Sequence, residues 1–248
     1  NSLPSSFQIV GDVLLLKLLK IKSERQKNLI ASSLMEMFPR IKTVCEIKGI
    51  RNEFRIPRIK KLAGNGTITI HKEHGILYKL DVSKIMFSKG NLSERKRIAE
   101  KIKKDETVVD MFAGIGYFTL GTAKKAKSIY SIEKNKIAFR YLKENINLNK
   151  IKNIIPINAD CRRVSLPEKA DRIIMGYFPS TEKFLPAALK FIDKGVIHYH
   201  NLAKNSEEIR NQIENACKER EFTILQIKEV KSIAPWTYHF VADIEIIA

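Results

Sequence analysis

The sequence predicts an α/β fold: a mostly parallel sheet ending in an antiparallel hairpin, with a small α+β domain before it. Three observations predict this. From about residue 91, strand-like and helix-like segments alternate, as in a parallel sheet covered by helices. The last two strand-like segments are separated only by a turn near Pro235, which requires an antiparallel pair. Before residue 90 the elements are mixed and include a hairpin signal at Glu73-His74-Gly75. The expected domains are therefore 1–90 and 91–248.

In the first part, Asn28 to Phe38 reads as a helix stopped by Pro39, and Lys42 to Ile50 as a strand. Thr67 to His71 and Ile76 to Asp81 form the hairpin, approached through Gly64 and Gly66. In the second part a helix begins near Asn91, with Glu94 placed for a capping box. Strand Thr107 to Asp110 leads through a Gly-rich turn into a helix. Strand Ser128 to Glu133, a helix from Asn135 to Leu148, and strands Ile154 to Ala159 and Arg172 to Met175 follow. A helix carrying Leu185, Leu189 and Ile192 precedes strand Val196 to Tyr199. Ser206 is the expected cap of a helix with inner face Ile209, Ile213, Ala216 and Cys217. Strands Phe222 to Val230 and Thr237 to Ile247 close the sheet.

Apolar residues make up 44% of the 248, enough for a globular core without staples. Lys and Arg outnumber Asp and Glu by 45 to 27, a formal +18, which favours a polyanion such as nucleic acid. A thermophilic Lys-rich composition is the other source of such charge, but it raises Glu along with Lys. Cys45, Cys161 and Cys217 are scattered and form no C-x-x-C, so neither a disulfide framework nor a metal site is expected. That cysteine usage fits a cytoplasmic protein. The apolar run Val13 to Leu19, broken by Lys17, is too short for a signal peptide or membrane span.

The segment Val109-Asp110-Met111-Phe112-Ala113-Gly114-Ile115-Gly116 follows a strand and opens a helix. Gly114 and Gly116 allow a sharp turn and close approach to a ligand. Glu133 ends the next strand, where a carboxylate can accept both hydroxyls of a ribose. NAD is one candidate ligand. Its loop normally has a third Gly where Thr119 stands, and Asp110 would oppose a pyrophosphate. A cationic sulfonium cofactor suits Asp110 better. Asp160 and Cys161 end the third strand; Asp160 is a candidate acceptor for an adenine amine or a cap for the turn that follows.

Met111 to Phe118 resembles motif I of class I methyltransferases. Four further segments resemble the tRNA guanine-37 N1-methyltransferase and wybutosine-synthesis family. They are Phe87-Ser88 with Glu94-Arg95, His71-Lys72-Glu73-His74-Gly75, Gly195-Val196-Ile197-His198-Tyr199, and Lys231-Ser232-Ile233-Ala234-Pro235. The resemblance implies a class I methyltransferase-like, Rossmann-like catalytic domain preceded by a small RNA-contacting domain. It implies S-adenosyl-L-methionine as cofactor and the tRNA anticodon loop at position 37 as target, with no membrane and a monomeric state. Ser88, Arg95, Glu133, Asp160 and Cys161 match its cofactor-contacting positions, beside Asp110, Phe112, Gly114 and Gly116 from the loop. The separate amino-terminal domain of many methyltransferase members is expected to be absent.

One departure bears on the reaction. Methylating members carry an Asn-Leu-Pro type motif after the fourth strand; here the stretch is Met175-Gly176-Tyr177-Phe178-Pro179. Gly176 has no side chain to hold a purine edge. The stretch resembles the aminocarboxypropyltransferase branch, which moves the amino-acid arm of the same cofactor to a tricyclic base, 4-demethylwyosine, and releases methylthioadenosine. Guanine N1-methylation and a non-catalytic tRNA-binding role are the alternatives. Arg95 could hold the arm's carboxylate or a phosphate, with Ser88 adding a hydrogen bond. Phe112, Tyr117, Tyr177 and Phe178 are candidate stacking surfaces; Arg95, Tyr177 and Phe178 are the residues placed at the chemistry. His198 and His200 are expected on opposite faces of their strand, either one a candidate base.

Overall fold

The computed structural model describes residues 7–19, 21–88 and 91–247. The chain divides into two compact units, residues 1–88 and 89–248.

The first unit opens with a hairpin absent from the sequence expectation. β1 (Phe7–Val10) pairs antiparallel with β2 (Val13–Leu16) across Gly11, at φ +58°. All four residues of β2 are buried, so it shows no alternation to read. α1 (Glu24–Met37) starts four residues before the expected Asn28, because Ser23 caps it by accepting from the Gln26 amide. β3 (Thr43–Arg51) lies parallel to β2 and antiparallel to β4 (Ile56–Gly64), giving the order β1-β2-β3-β4. β4 was also unforeseen, since Arg58, Lys60 and Lys61 mask its alternation. Leu14, Leu16, Ala31 and Val44 form the unit's core, and Lys27 meets Glu46 at 2.7 Å beneath α1. β5 (Ile68–Glu73) and β6 (Ile76–Asp81) form the expected hairpin. His74 and Gly75 both have positive φ, the geometry of a type I′ turn.

The second unit carries α2 (Leu92–Lys101), β7 (Thr107–Asp110), α3 (Thr119–Thr122), β8 (Ser128–Ile132), α4 (Lys136–Leu148) and β9 (Ile154–Ile157). It continues with β10 (Arg172–Met175), α5 (Leu185–Phe191), β11 (Gly195–Ala203), α6 (Ser206–Cys217), β12 (Phe222–Ala234) and β13 (Thr237–Ile246). The sheet order is β12-β13-β11-β10-β7-β8-β9. β9, β8, β7, β10 and β11 are parallel, and β13 is the one antiparallel strand, second from the edge. The α/β expectation holds. Successive strands step one way from β7 to β9 and the other way from β10, so the order reverses beside β7, and ligands bind outside the carboxyl ends at such a point.

Both cap expectations need correction. Asn91 makes no side-chain cap bond, and Glu94 instead accepts from Arg97 Nε at 2.9 and 3.0 Å. α6 is capped by Asn205, which accepts from the Glu208 amide at 2.9 Å, and Ser206 is its first helical residue.

The two strand histidines do not face opposite ways. Residues two apart in a strand share a face, and His198 and His200 are both buried on the same side of β11. His198 Nδ1 donates to Asp243 Oδ1 at 2.6 Å while Nε2 accepts from Arg172 Nη1 at 2.9 Å. Arg172 also forks onto Glu106 at 2.7 and 2.9 Å. Arg97 and Lys101 of α2 reach Asp243 at 2.7 and 2.8 Å. This network pins α2 to the centre of the sheet.

Candidate active site

The loop after β7 is held from below by Asp110. That residue was expected at the mouth of the loop; it is completely buried beneath it. One oxygen accepts from the Phe112 amide at 3.3 Å and the other from Thr119 Oγ1 at 2.7 Å. Thr119, where a dinucleotide loop has its third Gly, is thus the partner of this acid. Burial pushes the Asp110 carboxyl up to about 6.

Gly114 and Gly116 have φ of +59° and +100°. A Cβ on Gly116 would stand 2.7 Å from Leu120 and 3.3 Å from Leu142, so glycine is what lets α4 close on the loop. The Gly114 amide donates to Glu133 Oε2 at 2.7 Å, and the Asn135 amide donates to Glu133 Oε1 at 2.6 Å. The Lys134 amide also bonds to this carboxylate. Burial raises this carboxyl to about 6 as well.

Asp160 caps the 3-10 turn Cys161–Arg163. It accepts from Arg162 at 2.6 and 2.9 Å, and that guanidinium holds its carboxyl well below the usual range, with Lys134 3.7 Å away. Cys161 is buried, and burial pushes its thiol up to about 12.

Three rings gather over the ends of β7 and β10. Phe112 and Tyr177 stack with centroids 4.9 Å apart, and Phe184 meets Phe112 edge-on at 5.0 Å. Arg162 lies 4.8 Å over Phe184. Phe184 and Arg162 escaped the sequence reading; an aromatic soon after the fourth strand was the available signal. Phe178 does not join this group. Its ring lies 4.4 Å from His239, beyond a cis bond to Pro179. Gly176 packs under Phe118, whose ring occupies the space a side chain at 176 would need. Arg95 is buried on α2, and Ser88 is half-buried at the end of the first unit. Among the described residues, no group of three or more His, Cys, Asp or Glu is arranged to hold a metal, and no helix is long and apolar enough to cross a membrane.

With this geometry in hand, comparison with known proteins is decisive. A family model for the TRM5/TYW2 methyltransferase domain matches residues 69–225, and one for the TYW2 N-terminal domain matches residues 1–67. The chain belongs to the TRM5/TYW2 family. A tRNA(Phe) (4-demethylwyosine(37)-C(7)) aminocarboxypropyltransferase of Methanocaldococcus jannaschii is 44% identical over 96% of both chains. The protein of the same name from Pyrococcus horikoshii is 40% identical, over 98% of this chain and 90% of the relative. Among solved structures, P. horikoshii TYW2 in complex with MeSAdo superposes with a TM-score of 0.86 at 39% identity, covering 99% of this chain and 92% of that one. In this TRM5/TYW2 chain, the loop at Gly114 and Gly116, Glu133 and the three rings form one continuous candidate site.

Proposed function

We propose that this chain transfers the 3-amino-3-carboxypropyl group of S-adenosylmethionine to 4-demethylwyosine at position 37 of tRNA(Phe), in wyosine-derivative biosynthesis, working as a monomer in the cytoplasm. The observation that carries this reading is the Gly176–Phe118 packing: where the methylating branch has an Asn side chain, this chain has a ring in its place. The name shared by the two relatives supports it.

The residues present fit the cofactor. Glu133 is the candidate acceptor for ribose hydroxyls, and its amide bonds hold it still. The unsubstituted backbone at Gly114 and Gly116 admits close approach, and the Cys161 backbone and Asp160 stand where the adenine edge would lie. When bound, S-adenosylmethionine supplies a sulfonium that activates three carbons, and orientation selects which one meets the base. A cationic ligand in this loop favours the ionised form of the two nearby carboxyls, Asp110 and Glu133, which burial disfavours in its absence. Phe112 and Tyr177 offer a stacked face to an extruded base. Arg95 is the candidate for the arm's carboxylate. In the first unit, exposed Lys48, Arg51, Arg58 and Lys61 on β3 and β4 suit RNA phosphates.

The test is the co-product. With labelled cofactor and tRNA carrying 4-demethylwyosine, methylthioadenosine should accumulate in step with an aminocarboxypropyl adduct. Adenosylhomocysteine together with a methylated guanosine would favour the methyltransferase reading, and neither product the non-catalytic one.

A further inference from the structure

The β12–β13 hairpin ends in a two-residue turn, Pro235-Trp236, closed by the pair Ala234 and Thr237. Proline holds the first position at negative φ, and Trp236 occupies the second at φ +56°. That second position ordinarily belongs to Gly or Asn. The chain's single tryptophan is therefore fixed in a backbone region that suits it poorly, and it is 78% exposed. Stability does not account for either fact, because a buried ring or a glycine would serve the turn better.

The register shows where this turn stands. β13 runs antiparallel to β11 with Tyr238 opposite Ala203, so the hairpin tip extends past the end at which β10 and β11 finish. Met175, the last residue of β10, is level with Tyr199 of β11. Six residues of strand separate that level from Trp236, about 20 Å at strand rise. The tip thus stands beyond the same edge that carries the candidate site. Near the tip, His239 of β13 contacts the ring of Phe178 in the loop after β10.

The same edge carries exposed Lys134, Arg162, Arg163, Lys183 and Lys204 after β8, β9, β10 and β11; Lys134 and Arg162 face Asp160, and exposed Glu207 and Glu208 start α6. On the hairpin itself Lys231 reaches Asn91 at 2.9 Å, and Ile233 is exposed beside the turn.

We infer that Trp236 is a stacking platform for an unpaired nucleotide of the tRNA substrate, one other than the nucleotide undergoing transfer. The inference rests on the proposed tRNA reading and adds a contact to it. A rigid, solvent-facing indole on a basic rim offers a flat π surface that accepts any base, with phosphates held by the surrounding cations. About 20 Å from the end of β10, it engages the loop and leaves the chemistry alone.

The experiment uses the full chain and tRNA(Phe) carrying 4-demethylwyosine. Because Trp236 is the only tryptophan, its fluorescence reports on itself, and tRNA should quench it. Trp236→Gly suits the turn and removes the ring. It should weaken tRNA binding about five- to hundredfold and raise KM, with kcat and cofactor affinity unchanged and melting temperature not lowered, while Trp236→Phe keeps most of the affinity. A glycine variant that binds tRNA like the wild type, or an emission that tRNA leaves unmoved, overturns the inference even if the wild type makes methylthioadenosine. A wild type that binds tRNA and quenches but forms no product removes the proposed reaction and leaves the platform standing. A wild type that does not bind this tRNA removes both.

Discussion

A Cβ added at Gly176 would lie 2.4 Å from Cε2 of Phe118 and 2.8 Å from its Cδ2. The two residues are complementary, since the ring can take this place only because position 176 has no side chain. Gly176→Asn should therefore overpack the end of β10, lower stability by about 1–3 kcal/mol and impair transfer. Adding Phe118→Ala should cost less than the sum of the two single changes. Thermal unfolding of the four proteins measures this, and strict additivity would show that the two side chains do not compete for space.

Glu133 should make cofactor affinity depend on pH. Its carboxyl titrates near 6, and ribose hydroxyls donate to the ionised form. Affinity is then full above about pH 7 and falls as pH drops through 6. Glu133→Ala should lose about ten- to hundredfold at neutral pH and flatten the profile. Calorimetry from pH 5 to 8 checks both.

His200 should make the fold acid-sensitive. Burial lowers its imidazole to about 3, against an ordinary 6.5. The unfolded chain takes up the proton near 6.5 and the folded chain does not, so this contribution is present above 6.5 and declines by about 1.4 kcal/mol per unit below it. His200→Phe should make the melting temperature less sensitive between pH 6 and 4. An identical slope in wild type and variant would mean that other groups set the acid limit.

Asp243 anchors four donor groups at once: Arg97, Lys101, His198 and Gln226. Burial opposes its ionisation, yet His198 and Arg97 hold it below the usual carboxylate range. Asp243→Ala leaves Arg97 and Arg172 charged under the sheet with one fewer anion, and should cost about 3–5 kcal/mol. Denaturant unfolding measures it, and a loss below 1 kcal/mol would mean that water replaces the carboxylate.

Affinity for tRNA should fall steeply with salt, since cations displace condensed counterions from phosphates. Filter binding between 50 and 200 mM salt provides the slope, and a flat line would assign the +18 charge to another purpose.

What could be read from the chain was what is local in it. The turn at Gly114 and Gly116 and the acid at Glu133 lie within one β-α-β step, and the structure joins them by a 2.7 Å bond. His74-Gly75 announced its hairpin for the same reason. Contacts between distant residues were hidden. Arg97 meets Asp243 across 146 residues, so Glu94 looked like a cap when it belonged to a buried network. Tyr177 and Phe178 read alike as stacking residues, yet one joins Phe112 and the other His239, because adjacent side chains leave the loop on different sides. β4 was lost behind its lysines, since a solvent-facing strand in a basic protein alternates too weakly to show.

The position of β13 has a consequence for how the molecule is made. Of the seven strands in this sheet it is the last in chain order, yet it lies between β12 and β11 and holds Asp243 against α2. Until Thr237–Ile246 clears the ribosome, β11 keeps an open edge and Arg97, Lys101 and His198 wait for their common anion. From the completion of β11 until β13 is made, the nascent second unit therefore carries an unpaired strand edge, a surface that chaperones or a neighbouring chain can capture. A stop codon before Thr237 would leave the Gly-rich loop and Glu133 translated but the sheet beneath them unfinished. In this fold the cofactor loop comes early and the strand that makes the sheet rigid comes last.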